Sequence, residues 1–243
     1  MKITYADVSI TRIISVIPKR TVRNSELNFD DKTKKKIIKM TGVEERRTLD
    51  DESSLLPLYL RGAELLFREI DPLTIDAIIV VTQTPEYRLP TTANLLHGMF
   101  SLKKEALAFD ISQGCSGYLY GLSQAFSLLN TASDIRRVLL LDGDAISKVS
   151  HPQNKSTAFL FGDAATLTLC ERKTGASPVC FLLRSDGRGA KNLMIRDGGI
   201  AHPFGETSTL SKTDEDGNCT ADACLYMNGA EIFNFTSEEL PPL

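Results

Sequence analysis

Ala106-Leu-Ala-Phe-Asp-Ile-Ser-Gln-Gly-Cys-Ser-Gly-Tyr-Leu-Tyr-Gly121 holds the change of period that decides the fold. Ala106 to Ile111 reads as a buried strand, Ser112-Gln113-Gly114 as a tight turn of small residues, and Cys115 to Leu129 as a helix. Upstream, Ala77 to Thr82 is a short β-branched run of the kind found in strands buried on both faces. Between these two strands, Thr91 to Phe100 reads as a helix with Pro90 just ahead of it. Downstream, Val138 to Leu141 is a third buried strand, and Asp142-Gly143-Asp144 reads as the turn that ends it. Strands alternating with helices of this length imply right-handed crossovers and an α/β fold with a mostly parallel sheet covered on both sides.

Farther out the pattern loosens. Residues 2 to 17 read as one or two strands ending at Pro18, and Asp31 to Met40 as a polar helix stopped by Thr41-Gly42. A stronger amphipathic helix carries Leu56, Leu60, Ala63, Leu66, Phe67 and Ile70 at helical spacing, with Ser53 or Ser54 as its expected cap and Asp71-Pro72 as its end. Around Gly162-Asp163, Ala158 to Phe161 reads as a short buried helix or turn and Ala164 to Leu169 as a strand. Val179 to Leu183 is one more strand, expected to begin a second parallel sheet that lacks partners. A loop-rich stretch from about 185 to 225 follows, long enough to suggest a functional or capping role. A helix from Asn228 to Glu239 precedes the close at Pro241-Pro242-Leu243.

Composition narrows the chemistry. The 243 residues are 42% hydrophobic and 24% charged, which argues against disordered and low-complexity classes. Lys+Arg 28 against Asp+Glu 31 gives a formal charge of −3, without the basic stripe that nucleic-acid binding needs. The one basic cluster, Lys32 with Lys34, Lys35 and Lys36, is either a solvated helix face or a contact for a phosphate-bearing substrate or acidic carrier protein. The first residues are too polar for a signal peptide and no apolar run could cross a bilayer, so a cytoplasmic protein with no membrane partner is expected. The five cysteines then read as reduced thiols, and Cys219 and Cys224 lack partners at zinc spacing, so no metal is expected.

Cys115 is the candidate nucleophile. At a strand-to-helix turn it meets unpaired N–H groups and the positive end of the helix dipole, which favour thiolate over thiol. The same N–H groups can hold the oxyanion formed when sulfur attacks a carbonyl. Gly114 and Gly117 are expected to leave room for substrate and neighbouring backbone. Cys170 and Cys180 read as core thiols. His97, His151 and His202 read as surface or helix-packing residues, and Arg46-Arg47 as partners in surface ion pairs or as a phosphate contact.

Five segments in order resemble the ketoacyl synthase III family of the thiolase superfamily. They are Thr41-Gly42-Val43-Glu44-Glu45-Arg46-Arg47, Pro90-Thr91-Thr92-Ala93, the cysteine turn, Phe161-Gly162-Asp163-Ala164-Ala165, and Met227-Asn228-Gly229-Ala230-Glu231-Ile232-Phe233. Ala164 stands where the family usually has a second glycine. The resemblance implies a thiolase-like layered αβαβα sandwich of two similar halves and a homodimer. Residues 1–172 would be the nucleophile-bearing half and 173–243 the start of the second. It implies no cofactor, with an acyl-CoA or acyl carrier protein thioester as substrate. Cys115 would take the acyl group and condense it with a malonyl thioester that loses carbon dioxide.

By the same resemblance Leu160, Phe161, Met227, Gly229, Ile232 and Phe233 would line the substrate path. Leu89 stands where the family often has an aromatic at the end of the acyl pocket, although ordinary core packing would also explain it. The chain has no Trp, and Lys36 and Lys155 occupy the places of the Trp and Arg that flank adenine in the family. Lysine offers phosphate a point charge and adenine no stacking plane, so weakened adenine recognition and a carrier-bound or unusual donor are expected. The family's His and Asn would fall beyond Leu243, so a truncated form of a longer enzyme is expected. Two further readings stand beside this one: a thioester-dependent acyltransferase to a hydroxyl, an amine or a second acyl chain, and a non-catalytic dimerising subunit.

Overall fold

The computed structural model describes residues 1–213 and 217–239; the expected close at Pro241-Pro242-Leu243 lies outside the described residues. In chain order they form β1 (Lys2–Tyr5), β2 (Val8–Val16), β3 (Arg20–Arg23), α1 (Asp31–Thr41), β4 (Glu45–Thr48), α2 (Leu56–Leu66) and β5 (Ala77–Val81). There follow α3 (Thr92–Met99), β6 (Leu107–Ile111), α4 (Gly117–Thr131), β7 (Arg137–Ala145), β8 (Asp163–Arg172) and β9 (Val179–Leu182). Four two-residue strands, β10 (Leu193–Met194), β11 (Lys212–Thr213), β12 (Cys219–Thr220) and β13 (Tyr226–Met227), precede α5 (Gly229–Glu239). The chain forms two compact units: residues 1–19, 49–145 and 163–184 make one, and 20–48, 146–162 and 185–243 the other. Each gathers three separate stretches of the chain.

The first unit is built on a five-stranded sheet in the order β2-β8-β7-β5-β6. β5 pairs in parallel with β6 and β7, whereas β7–β8 and β2–β8 are antiparallel. The sheet is therefore mixed where a mostly parallel one was expected. Asp142-Gly143-Asp144 is not a turn: these residues continue β7 and pair with Thr166, Ala165 and Ala164 of β8. Gly143 permits this, since a Cβ there would stand 2.6 Å from the Tyr59 hydroxyl and 2.7 Å from the Ala164 carbonyl oxygen.

Alternation along the strands sorts the core into two faces. Ile78, Val80, Leu139, Leu141 and Leu167 pack with Tyr59, Ala63 and Leu66 of α2 and with Leu96 of α3. Ala77, Ile79, Val81, Val138 and Leu140 pack with Leu122, Ala125, Phe126 and Leu129 of α4. Each fully buried Val, Leu, Ile or Phe side chain among these contributes roughly 1.5–3 kcal/mol relative to exposure. All five residues of β5 are buried, as its composition predicts. β6, expected to be buried, is the sheet edge beside β5, and Leu107 is 45% exposed.

Two other expectations change. β9 does not begin a partnerless parallel sheet: it pairs antiparallel with β1, Lys2 opposite Leu182 and Tyr5 opposite Val179. Neither Ser53 nor Ser54 caps α2, whose N-cap is Leu55, and the helix ends at Leu66, short of Ile70. Its first amides are instead satisfied by tertiary contact, for Leu55 N and Leu56 N both donate to Glu86 Oε1 at 3.1 Å. The carboxylate also opposes the positive end of the helix dipole. At α3, Asp110 of β6 plays the same part, accepting from Thr92 N and Ala93 N at 2.7 Å, while Thr91 is the N-cap.

In the second unit α1 stops at Gly42, in the left-handed region at φ 72°, as read from the sequence, and its start is capped by Asp30, which the sequence reading did not assign. Asn24, fully buried, ties this unit together. Its Nδ2 donates to the carbonyls of Val43 and Phe159, and its Oδ1 accepts from Arg46 Nε at 2.9 Å. Arg46 also donates to the Phe161 carbonyl, so it is a half-buried scaffold residue. β3 pairs with β4, β10 with β13 and β11 with β12, all antiparallel.

Candidate active site

Cys115 stands in the turn between β6 and α4, two residues before the helix begins, and is exposed to solvent. The turn is drawn tight by Gly117 N donating to Gly114 O at 2.6 Å. Ser116 is the N-cap but places no side-chain oxygen on the helix. Among the described residues the backbone N–H groups of Cys115 and Ser116 have no acceptor, so the start of α4 presents open donors beside an accessible sulfur. Sealing of this thiol in apolar packing, which would have ended the nucleophile reading, is not what the fold produces.

The glycines of the turn work differently from the expectation. A Cβ on Gly117 would lie 2.5 Å from Val81 Cγ1, and one on Gly121 would lie 2.7 Å from Leu140 Cδ1 and 2.8 Å from Val81 Cγ2. Gly114 faces Gln83 Oε1 at 2.7 Å by the same measure. The space they leave is filled by side chains of β5, β7 and the β5 loop, and it lets α4 press onto the sheet.

That loop is pinned from below. Asp144 Oδ1 accepts from Thr82 Oγ1, Gln83 N, Thr84 N and Thr84 Oγ1 at 2.7–3.0 Å. Thr84 Oγ1 in turn accepts from Ala145 N at 2.9 Å. Two positions back, the Asp142 carboxyl is pushed up to about 6, first by burial and then by the charge of Asp144. Buried Tyr59 has its phenol raised well above its usual value by desolvation and then by Asp142, Asp144, Asp110 and Glu86. Reading Asp142 and Asp144 as turn residues hid both roles. The signal that could have shown them is the polar Thr82-Gln83-Thr84 run after β5, which needs an acceptor.

The other expected residues are divided between the units. Leu89 is on the first unit with Cys115 and is 85% exposed, which removes the core-packing alternative. Lys36, Lys155, Leu160, Phe161, Met227, Gly229, Ile232 and Phe233 all belong to the second. There Lys36 is exposed on α1, and Lys155 lies against the 217–218 segment, with its backbone N donating to Asn218 Oδ1 at 2.7 Å. Leu160 and Phe161 are half-buried and follow Phe159, whose ring is 5.0 Å from that of Phe29. Met227 pairs with Leu193, Gly229 opens α5, and Ile232 is half-buried on it while Phe233 is 70% exposed.

Among the remaining cysteines, Cys170 is the core thiol expected, with burial pushing it up to about 12. Cys180 is not: it is exposed and opens onto an apolar groove of about 590 Å³ with Leu119, Leu122 and Leu182. The imidazoles of His97 and His151 are held by the Lys103 carbonyl and the Ser211 hydroxyl. His202 is exposed, and its carbonyl accepts from Gly198 N. No helix among the described residues is long and apolar enough to cross a membrane.

Residues 109–187, which include the cysteine turn, match the family model for 3-oxoacyl-[acyl-carrier-protein (ACP)] synthase III. A 2.1 Å crystal structure of a 3-oxoacyl-(acyl-carrier-protein) synthase III superposes with a TM-score of 0.90 at 36% identity, covering 97% of this chain and 72% of that one. The chain belongs to the 3-oxoacyl-ACP synthase III family. The crystal structure of the Burkholderia xenovorans 3-oxoacyl-(acyl-carrier protein) synthase agrees, with a TM-score of 0.89 at 37% identity over 100% of this chain and 68% of that one. The β-ketoacyl-ACP synthase III of Caldanaerobacter subterraneus subsp. tengcongensis is 31% identical over 91% of this chain and 65% of its own length. The chain thus spans about two thirds of the length of the curated synthase III relatives it matches, covering 65% and 68% of two of them. Its α/β fold is that of this family's thiolase-like layered sandwich.

Proposed function

We propose that this chain carries the nucleophile of a condensing acyltransferase of the β-ketoacyl-ACP synthase III type, with Cys115 as the atom that holds the acyl group. In the first step the Cys115 thiolate attacks the carbonyl carbon of an acyl thioester of coenzyme A or acyl carrier protein. A new C–S bond forms and the donor thiolate leaves. The oxyanion of that step develops beside the open N–H groups at the start of α4, where a helix N-terminus stabilises negative charge. In the second step a malonyl thioester loses carbon dioxide. The electron pair released forms the new C–C bond to the acyl carbon, and the Cys115 thiolate departs.

The observation that carries the proposal is an exposed cysteine at the open N-terminus of α4, in a chain of this family. Leu89 is proposed to bound the length of the acyl group. Lys36, Lys155, Leu160, Phe161, Met227, Gly229, Ile232 and Phe233 are proposed thioester-binding residues by the resemblance alone, and the role of Cys115 does not rest on them. Assembly as a homodimer belongs to the same proposal.

Incubation with a panel of acyl-CoA and acyl-carrier thioesters, followed by peptide mass spectrometry, tests it. The expected result is one acyl mass added on the peptide bearing Cys115 and none on that peptide in Cys115→Ser. Acyl groups spread over Cys180, Cys219 and Cys224 as readily as over Cys115 would overturn it, and would favour a scaffold protein.

A further inference from the structure

The floor beneath the cysteine turn contains a group that the acyl-transfer step does not use. Gly117 and Gly121 seat the first turn of α4 on Val81 and Leu140. Asp142 is the register partner of Val81 and lies two residues beyond Leu140 on β7, so strand alternation puts its side chain on the same face, toward α4. On its other side Asp142 pairs with Thr166, and Thr168 beyond it accepts or donates a 3.1 Å hydrogen bond with Tyr118 in that same helical turn. Asp142 is thus hemmed in by β5, β8 and α4. Asp144 pays its lone pairs into Thr82, Gln83 and Thr84, whereas the Asp142 carboxyl receives no hydrogen bond and no cation among the described residues.

We propose that Asp142 is an electrostatic gate on Cys115: ionised, its carboxylate beneath the first turn of α4 offsets the positive helix end and suppresses the thiolate, and neutral, it releases it. From its own strand there is Asp144, the charged neighbour that acts on Asp142; from α2 there is Tyr59, whose buried phenol feels the Asp142 charge and donates to the Gly143 carbonyl; from α4 there is Tyr118, with its hydroxyl on Thr168; β5 and β8 bring Val81, Thr166 and Thr168, which carry no charge. Burial and Asp144 together push the Asp142 carboxyl up to about 6. The inference rests on the proposed role of Cys115 as the nucleophile.

The test compares wild type with Asp142→Asn, an isostere that loses no hydrogen bond, and with Asp142→Ser as a second neutral variant. Iodoacetamide labelling of Cys115 is followed by peptide mass spectrometry from pH 5 to 7.5. The rate ratio of variant to wild type should be near one at pH 5. It should rise to about threefold by pH 7.5, the scale of one unit charge acting across a partly solvated turn. The midpoint should lie near pH 6, and Asp142→Glu should restore the wild-type profile. A ratio that stays constant over this range in both neutral variants overturns the gate, because a purely structural change would shift all pH values alike. The same proteins are offered acetyl thioesters in parallel. A pH-dependent labelling ratio with no acetyl ever found on Cys115 supports the gate and overturns the acyltransferase reading.

Discussion

At the scale of single residues, Asp142 shows how a strand position can set chemistry that composition does not reveal. An ordinary aspartate has a pKa of 3.8, and burial beside Asp144 pushes Asp142 up to about 6 in the folded chain. The sign follows from linkage: the folded state holds this proton more tightly than the unfolded state. Asp142 therefore costs the fold nothing below pH 4. Its cost grows as pH rises from about 4 to 6 and is constant above that. The full shift would amount to about 3 kcal/mol, but a partly solvated carboxylate is screened, and about 1–2 kcal/mol is the expected penalty. Asp142→Asn should then match wild-type stability near pH 4 and exceed it by that amount at pH 7.5. Thermal melts at the two pH values check this, with a gain of a few degrees expected only at the higher one. An equal gain at both would mean that packing, not charge, is what the substitution relieves.

At the scale of elements, what the sequence made legible was whatever depends on neighbours along the chain. The strand at β5 could be read because five consecutive apolar residues, mostly β-branched, suit burial on both faces. The end of α1 could be read because Gly42 is a local cap. Cys115 could be placed because strand, small-residue turn and helix follow one another directly. What failed depends on partners far away in sequence. β6 looked as buried as β5, and only the strand order makes it an edge. Cys180 looked like Cys170, yet β9 lies with β1 and not inside the sheet.

The cap of α2 failed in the same way: two serines just ahead of it lose to Glu86, thirty residues on. This gives a prediction at the level of the helix. Glu86→Ala leaves the Leu55 and Leu56 amides without their acceptor and should lower stability by about 1–2 kcal/mol. Glu86→Gln, which keeps an acceptor oxygen but not the charge, should lose about half as much. Urea unfolding checks both through a reduced midpoint at unchanged slope. No change in Glu86→Ala would mean that Ser53 or Ser54 can take over the cap after all.

At the scale of the whole molecule, the proposed function makes charge a test of which thioester is met first. The chain carries a net −3, yet α1 packs Lys32, Lys34, Lys35, Lys36 and Lys39 into eleven residues with none of them buried. Lys34 is engaged with Asp31 at 3.0 Å, which leaves Lys32, Lys35, Lys36 and Lys39 as the exposed lysines of the helix. A weakly acidic body repels an acidic carrier or a polyphosphate at long range, while a local cluster of lysines attracts it within about 8 Å at physiological salt. The two effects differ in reach, so salt separates them. Lysine offers a point charge and no stacking plane, so under the proposed function the attraction of this cluster favours a carrier whose surface offers many carboxylates. Lys35→Glu combined with Lys36→Glu should slow acylation of Cys115 from acetyl-carrier protein about tenfold at low salt, and much less at 0.5 M salt, where surface charges are screened. Transfer from a short acetyl-pantetheine thioester, which has neither adenine nor carrier, should be unchanged in the same variant. Equal losses with all donors at every salt concentration would place these lysines in the support of α1 itself and leave donor choice to residues elsewhere in the chain.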